Sequence, residues 1–154
     1  MKKWGYSQAN NKYGASKVVF KGIKFDSTYE RDRYIYLCHL QKKGLISGLR
    51  LQQKFVLIKK TIKLVPTQLK TKVRWDKRVV EQEADYHCDF VYIENGVYVC
   101  EEFKSVMTSS LADYILRRKL MVKKIYEHNE KGRSKWIFRE VVYFNKRKTI
   151  ITDK

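Results

Sequence analysis

The feature that most constrains the fold is a pair of apolar runs separated by a short turn signal. The runs ADYHCDFVYI (84–93) and VYVCEEFKS (97–105) are rich in β-branched and aromatic residues, and the ENG between them is typical of a hairpin turn. They are therefore predicted to be neighbouring antiparallel strands, apolar enough for the middle of a sheet. Charges are costly at such a place, yet the second run ends with Glu101, Glu102 and Lys104.

Alternation along the second strand selects among these charges. Glu102 and Lys104 project to one face, whereas Glu101 projects to the other. Asp89 on the preceding strand shares a face with Val91 and is expected to approach Glu102. Two convergent carboxylates suit Mg²⁺, and an adjacent lysine can orient water or stabilise negative charge on a phosphate. The pattern predicts a metal-dependent phosphodiesterase site; the alternative is a surface ion pair, worth about 0–1 kcal/mol.

A third carboxylate, Glu30, lies near the start of a predicted helix in FDSTYERDRYIYL (25–37). Ser27 and Glu30 fit a capping box, with Ser27 at the N-cap and Glu30 at the third helical position. Helical spacing also places Glu30 on one stripe with Tyr34 and Leu37, which would turn it toward a sheet. A structural cap and a site role therefore both remain open for Glu30.

The remaining elements predict one domain over residues 1–154 with a mixed α/β sheet. Residues 1–15 read as a polar arm, and residues 61–80 as a basic stretch without an assignment. The order of elements is approximately β-α-β-β-β-α-β, a mixed sheet with flanking helices. The other predicted elements are a hairpin over 17–26 centred on Lys21 and Gly22, a helix over 27–43 ended by Gly44, a strand over 47–60, a helix over 110–129 with an apolar stripe of Leu111, Ile115, Leu120 or Met121, and Ile125, and a closing strand over 136–144.

The charge balance predicts a polyanionic partner. Lys and Arg number 34 against 16 Asp and Glu, a formal net charge of +18. No apolar run approaches the length of a membrane span, which argues against a membrane protein. Cys38, Cys88 and Cys100 are widely spaced, which predicts reduced thiols in a cytosolic protein. The candidates for phosphate contacts are Arg117, Arg118, Lys119, Lys123 and Lys124 on the second helix, and Lys70, Lys72, Arg74, Lys77 and Arg78 before the Asp89 strand.

The set of Glu30 on a helix, Asp89 on a strand and Glu102-Phe103-Lys104 on the next strand resembles the PD-(D/E)-x-K nuclease superfamily. More closely, several segments resemble a family of small phage-encoded proteins of that superfamily, which are regarded as endonucleases similar to Holliday-junction resolvases. The resemblance spans about residues 11 to 144 in the same order. Its segments are NKYGASKVVFKGIKFDSTYERDRYIYL, LRLQQKFVL, YHCDFVYIENGVYVCEEFKS and YILRRKLMVKKIY.

This resemblance implies a restriction-endonuclease-like α/β/α core, with a central mixed β-sheet flanked by helices, and hydrolysis of DNA phosphodiesters. It implies Mg²⁺ as cofactor, with Mn²⁺ as a substitute. By position Asp89, Glu102 and Glu30 would be the metal ligands, Glu30 directly or through water, and Lys104 the catalytic lysine. Cys88 stands where the superfamily's nominal motif has proline.

The implied function is a phage Holliday-junction resolvase that cuts branched DNA as a two-fold dimer in the host-cell cytoplasm. One alternative is a nuclease for flaps, ends, or recombination or packaging intermediates. The other is a non-catalytic basic DNA-binding protein on the same fold. Trp75, among the second basic cluster, could stack on a base, although core packing or a dimer contact is the more ordinary role of an aromatic side chain.

Overall fold

The structure is a computed structural model that describes residues 17–132, 134–145 and 148–154. Within these ranges the chain forms two compact units, one ending at Ile46 and one beginning at Ser47. The polar arm predicted for residues 1–15 lies outside the described residues. None of the described helices is long and apolar enough to cross a membrane.

The first unit contains the predicted hairpin and the predicted helix. Strands β1 (Val18–Phe20) and β2 (Ile23–Phe25) pair antiparallel around Lys21 and Gly22, which both have positive φ as a tight turn requires. Helix α1 (Thr28–Lys42) starts at the N-cap Ser27, whose side chain accepts a hydrogen bond from a backbone N–H of the first turn, and ends before Gly44, at φ +71°. Both predictions are confirmed.

The second unit holds the remaining elements. Ser105 ends the seventh strand, and its hydroxyl caps the following short helix, which turns the chain away from the sheet. The bounds are β3 (Ile46–Ile58), β4 (Thr61–Gln68), β5 (Val73–Glu81), β6 (Ala84–Glu94), β7 (Val97–Ser105), α2 (Val106–Ser109), α3 (Ala112–Glu130), β8 (Trp136–Asn145) and β9 (Lys148–Asp153).

Over the described ranges, five strands form a mixed sheet in the order β3-β6-β7-β8-β9. Strands β6 and β7 pair antiparallel across the predicted turn, where Asn95 and Gly96 have positive φ. Strands β7 and β8 are parallel, and α2 and α3 provide the crossover connection that parallel pairing requires. The coarse prediction of a mixed α/β fold is therefore confirmed. Strand β8 does not close the sheet as predicted, because β9 pairs with it antiparallel.

Helix α3 packs on the sheet through a stripe that matches the predicted one at Met121 and Ile125 but differs at its start. Its buried residues are Tyr114, Met121 and Ile125, and the last two join Cys100 and Phe138 in the core cluster. Leu111, predicted to be buried, is exposed at the helix N-cap. Only the start of the stripe was misplaced, because Tyr114 buries its ring while directing its hydroxyl to a polar partner on the sheet.

Two further sequence predictions are incomplete or wrong. The basic stretch after residue 60 forms a separate antiparallel pair of strands, β4 and β5, which alternation alone had not revealed among so many charges. Cys88 and Cys100 are joined by a disulfide with a Cα–Cα distance of 6.2 Å, not kept as separate thiols. Their spacing in sequence does not suggest a bond, but the hairpin brings β6 and β7 side by side. Cys38 is a free thiol.

Glu101 anchors a buried polar network on the face of the sheet that α3 does not cover. Its side chain is fully buried and accepts a hydrogen bond of 2.6 Å from the Tyr92 hydroxyl. That hydroxyl accepts a 3.0 Å hydrogen bond from Arg139, which also forms paired hydrogen bonds with Asp153 on β9. The network links β6, β7, β8 and β9 through groups that each have a partner.

Replacing Glu101 with alanine is expected to lower the free energy of unfolding by about 1–3 kcal/mol, because the Tyr92 hydroxyl would lose its buried acceptor. Glu101→Gln should cost less, since an amide oxygen can still accept from Tyr92. Glu127→Ala, at an exposed carboxylate, is the control and should change stability by less than about 0.5 kcal/mol. Urea unfolding measures all three. A Glu101→Ala protein as stable as Glu127→Ala would contradict the network.

Candidate functional site

Asp89 lies where the regular pairing of β6 with β7 ends. The register runs from Glu94 opposite Val97 to Phe90 opposite Glu101. At the next step the Asp89 carboxylate accepts a 2.9 Å hydrogen bond from the Phe103 backbone N–H. A side chain thus occupies the place of a backbone carbonyl, a local irregularity of the kind that redirects side chains near functional sites.

The alternation predicted for β6 is interrupted at this place. Cys88 and Val91 are three residues apart, yet both pack in the core cluster under α3. Val91 pairs with Cys100, on the face of β7 that also carries Glu102 and Lys104, so the predicted side of Asp89 agrees with its approach to Lys104. Asp89 reaches the predicted partners from the end of the hydrogen-bond ladder.

The structure brings together Asp89, Glu102 and Lys104. The Lys104 ammonium pairs with Glu102 Oε1 and lies 3.9 Å from Asp89 Oδ2. Glu102 and Lys104 share one face of β7, whereas Glu101 bonds to Tyr92 on the other face. The choice of Glu102 over Glu101, made from alternation, agrees with this geometry.

Glu102 is the most confined of the three groups. Its side chain is only 4% exposed, and in the described part of the chain its Oε2 atom and the nearby Tyr86 hydroxyl are the buried side-chain atoms without a hydrogen-bond partner. Burial, and then the negative charge of Asp89, raises the pKa of Glu102 from 4.5 to about 7, although Lys104 opposes this shift. Lys104 and the nearby Tyr86 hydroxyl favour the ionised form of Glu102, but burial and the charge of Asp89 outweigh them.

A polar network beside the three groups was missed in the sequence. Glu140 on β8 is the parallel register partner of Glu102 and is also buried. It accepts hydrogen bonds of 2.8 Å from the Tyr114 hydroxyl and 2.6 Å from Arg118, and it pairs with Lys154. Burial tends to raise the pKa of Glu140, but these donors outweigh it and hold the pKa below its usual range.

The Tyr114 ring connects this network to Lys104. The Lys104 ammonium lies 5.5 Å from the centre of the ring, and the Arg118 guanidinium lies 5.6 Å from it. Both distances are in the range of cation–π attraction. The signal that could have found Glu140 is the one that selected Glu102, an acidic residue within an apolar strand, here WIFREVVYF.

Glu30 belongs to the first unit and has the expected cap geometry with one difference. Its backbone N–H donates to the Ser27 hydroxyl at 3.1 Å, while its carboxylate accepts from the Asp26 N–H at 2.9 Å, one residue before the expected Ser27. Glu30 is buried, which is unusual for a helix-capping carboxylate at a surface. The metal-ligand role given to Glu30 by the resemblance stays a prediction.

The basic residues of α3 differ in what they contact. Arg117 pairs with Asp113 at 3.1 Å and Lys123 with Glu127 at 3.8 Å, both exposed pairs that water can open. Arg118 is largely buried against Glu140, so its guanidinium serves the fold beside the site. Lys119 is exposed and forms no ion pair within the described residues.

The basic residues of the β4–β5 hairpin divide between its two faces. Arg74 and Arg78 lie on one face, and Arg74 pairs with Asp76 at 2.8 Å. Lys77 projects to the opposite face, and Lys72 lies between the strands in the connecting turn. Lys70, the fifth residue predicted for this phosphate-binding cluster, lies in the same turn, so the five residues do not share a surface.

The donor set of Asp89 and Glu102 suits a hard divalent cation that keeps several water ligands. Mg²⁺ in phosphoryl-transfer sites is commonly held by one or two carboxylates, with water and substrate phosphate completing the shell. Asp89 and Glu102 both approach the Lys104 ammonium, so their carboxylates converge at one place where an ion could be held. Within the described ranges, however, no group of three or more His, Cys, Asp or Glu residues is arranged to hold a metal alone.

The raised pKa of Glu102 predicts that the stability of the protein depends on pH. Glu102→Gln should remove this contribution to the pH dependence. The folded state holds the Glu102 proton more tightly than the unfolded state, so this group's contribution is fully present below pH 4.5 and is lost as the pH rises through about 7. In EDTA, the stability of Glu102→Gln minus that of the wild type should increase from pH 5 to pH 8 by on the order of 3 kcal/mol. Thermal unfolding across this range measures the difference, and a constant difference would contradict the assignment.

Comparison with known proteins places the chain in a family. A search of curated proteins gave no match. A family model described as "Protein of unknown function (DUF1064)" matches residues 10–145, which include Glu30, Asp89, Glu102, Lys104 and Glu140. Because the match covers most of the sequence and both compact units, the chain belongs to the DUF1064 family.

Proposed function

We propose that the protein is a divalent-metal-dependent endodeoxyribonuclease that hydrolyses phosphodiester bonds in branched DNA, as a phage Holliday-junction resolvase does. The observation that carries the proposal is the convergence of Asp89, Glu102 and Lys104 at the end of the β6–β7 ladder, with one buried Glu102 oxygen unsatisfied. A structural ion pair would not need this arrangement, since burial of Glu102 opposes its ionisation.

In this proposal Asp89 and Glu102 hold the metal ion, Mg²⁺ or Mn²⁺ in its place. The ion would supply Lewis-acid stabilisation of the phosphate and a water of lowered pKa. The hydrogen bond from Phe103 fixes the orientation of the Asp89 carboxylate. The burial of Glu102 restricts its rotamers, and its Oε1 atom pairs with Lys104 at the site. Each carboxylate is thus oriented before any ligand arrives.

Lys104 supplies the positive charge that the reaction requires at the phosphate. Its side chain is partly exposed, at 26%, so its ammonium can reach a bound phosphate while staying near both carboxylates. Tyr114 borders it on one side, and the Glu140 network fixes the Tyr114 hydroxyl. A positioned ammonium stabilises charge that develops on the phosphate oxygens.

The finer fold assignment is also part of the proposal. A mixed sheet with an antiparallel β6–β7 pair, a parallel β7–β8 pair and a helical crossover is compatible with a restriction-endonuclease-like α/β/α core. The metal-ligand role of Glu30 on α1 is proposed from the resemblance alone.

The net charge of +18 supports DNA as the substrate, because neutralised phosphates release counterions and supply affinity. Lys119, exposed on α3, and Arg78, exposed on β5, are candidates for such contacts. Two cuts are needed to resolve a four-way junction, and a two-fold dimer provides two equivalent sites.

The proposal is tested with a labelled four-way junction, a linear duplex, a flap and a single strand, each incubated with Mg²⁺, Mn²⁺ or EDTA. The wild type is expected to cut the junction only with a divalent metal. Asp89→Asn, Glu102→Gln and Lys104→Met should each reduce the rate by at least about 100-fold while leaving binding measurable, because they remove charge at similar size. Asp113→Asn, at an exposed carboxylate of α3, should cut at the wild-type rate.

The pattern of results separates the candidate functions. Cutting of flaps or ends in preference to the junction would keep the metal site and change the substrate. Tight junction binding without cleavage by any divalent metal would identify a basic DNA-binding protein instead. If Glu102→Gln and Lys104→Met cut as fast as Asp113→Asn, the site assignment is wrong.

A further inference from the structure

The β4–β5 hairpin has two chemically different faces. Cross-strand pairing places Lys63 beside Arg78 and Thr67 beside Arg74 on one face, with Asp76 between the two arginines along β5. The opposite face is formed mostly by apolar side chains. We call it the apolar ribbon face; its apolar members are Ile62, Leu64, Pro66, Val73, Trp75 and Val79, and its two polar members are Gln68 and Lys77.

The apolar ribbon face is open to solvent. Trp75 is 62% exposed and Leu64 is 59% exposed, and the other members are exposed as well. We estimate the exposed area of the six residues at about 500 Å², which is near the largest apolar patch of an ordinary monomer, and such patches are often functional. Alternation that places most apolar residues of a strand pair on one face normally serves a buried face.

The hairpin also has little to support it. Within the described residues β4 and β5 pair only with each other and form a sheet of their own. An isolated two-stranded hairpin is at best marginally stable in water, and it gains stability when a hydrophobic face is covered. The polar face is partly satisfied, since Asp76 accepts hydrogen bonds from Thr67 and Arg74. The apolar face is the one that needs a partner.

We propose that the apolar ribbon face binds the same face of a second copy of this chain. Two copies would remove about 1,000 Å² of apolar surface from water, before adding the rim residues, which reaches the size expected of a specific interface. A two-fold arrangement presents the same patch from both chains, so an apolar patch is complementary to itself.

The net charge of the chain favours association of two copies through the apolar ribbon face. Two chains of net charge +18 repel each other, so they approach most easily through a surface with few charges. The apolar ribbon face carries one, Lys77, whose aliphatic stem can cover Leu64 while its ammonium reaches solvent. Pairing through this face directs Lys63, Arg74 and Arg78 outward, where they remain available to an anionic partner.

DNA is a weaker candidate for the apolar ribbon face, because phosphate contacts need the cationic groups that lie mostly on the other side. The dimer also deepens the proposed function and in that respect rests on it, since paired incision of a junction needs two sites. The dimer itself can be tested without DNA.

The test is sedimentation equilibrium of the full chain from 1 to 100 µM. The wild type is expected to approach twice its mass of 18.5 kDa as concentration rises. Leu64→Asp should weaken self-association at least about 10-fold, whereas Leu116→Asp should not. Leu116 is a matched control, because this leucine is 60% exposed on α3.

Hydrogen exchange of the wild type provides a second readout that no variant can compromise by misfolding. Backbone amides over 61–81 should be more protected at 100 µM than at 1 µM, while those over 112–130 should not change. A monomer at every concentration would overturn the proposal, as would equal effects of Leu64→Asp and Leu116→Asp. A monomeric wild type whose DNA binding is weakened by Leu64→Asp would assign the face to DNA instead.

Failure of this proposal and failure of the nuclease proposal give different results. If the wild type is a dimer that cuts no DNA, and Leu64→Asp is a monomer, the interface is supported and the nuclease proposal is contradicted. A monomer that cuts DNA with a divalent metal supports the nuclease and removes the interface.

Discussion

The buried charge of Glu102 is the constraint on which the site depends. A carboxylate at the end of a central strand, with Asp89 nearby, is destabilised by burial and by like charge, and Lys104 offsets this only in part. Such a group tends to protonate or to recruit a cation. The fold holds Glu102 in place with the ladder on one side and the Tyr114 and Glu140 network on the other. Burial of the Glu102 carboxylate therefore lowers the stability of the fold, and a cation bound to Glu102 would restore that stability.

Neighbouring glutamates on β7 show how one strand serves two purposes. Glu101 faces a closed network in which it accepts from Tyr92, whose hydroxyl in turn accepts from Arg139, so it stabilises the sheet. Glu102 faces the opposite side, where one of its oxygens has no donor. The same side chain is well compensated at one position and poorly compensated at the next because strand alternation changes its surroundings.

Much of the fold and part of the candidate site could be predicted from local patterns in the sequence. The β6–β7 hairpin, helix α1 and the selection of Glu102 and Lys104 follow from turn residues, capping and alternation, which are short-range. The irregularity at Asp89 could not be predicted, because it depends on where the ladder ends. Glu140 and the Cys88–Cys100 disulfide depend on which strands become neighbours. Arg118 looked like a phosphate contact because sequence does not show that Glu140 lies beside it.

The β4–β5 hairpin was obscured for a different reason. Its charges alternate with apolar residues, so the stretch reads as a basic segment until pairing sorts the two kinds onto separate faces. The face with Lys63, Arg74 and Arg78 and the apolar ribbon face then suggest separate partners. Trp75, considered in the sequence for base stacking or packing, lies on the apolar side and is exposed.

The most direct measurement is a crystal structure with Mn²⁺, in which anomalous scattering locates the ion. We expect a peak within about 2.0–2.3 Å of a carboxylate oxygen from both Asp89 and Glu102, with Lys104 displaced from Glu102 toward the phosphate position. The peak should be absent in crystals of Glu102→Gln. A saturating Mn²⁺ soak that leaves Asp89, Glu102 and Lys104 paired as they are now, with no peak between the carboxylates, would contradict a metal-dependent nuclease site.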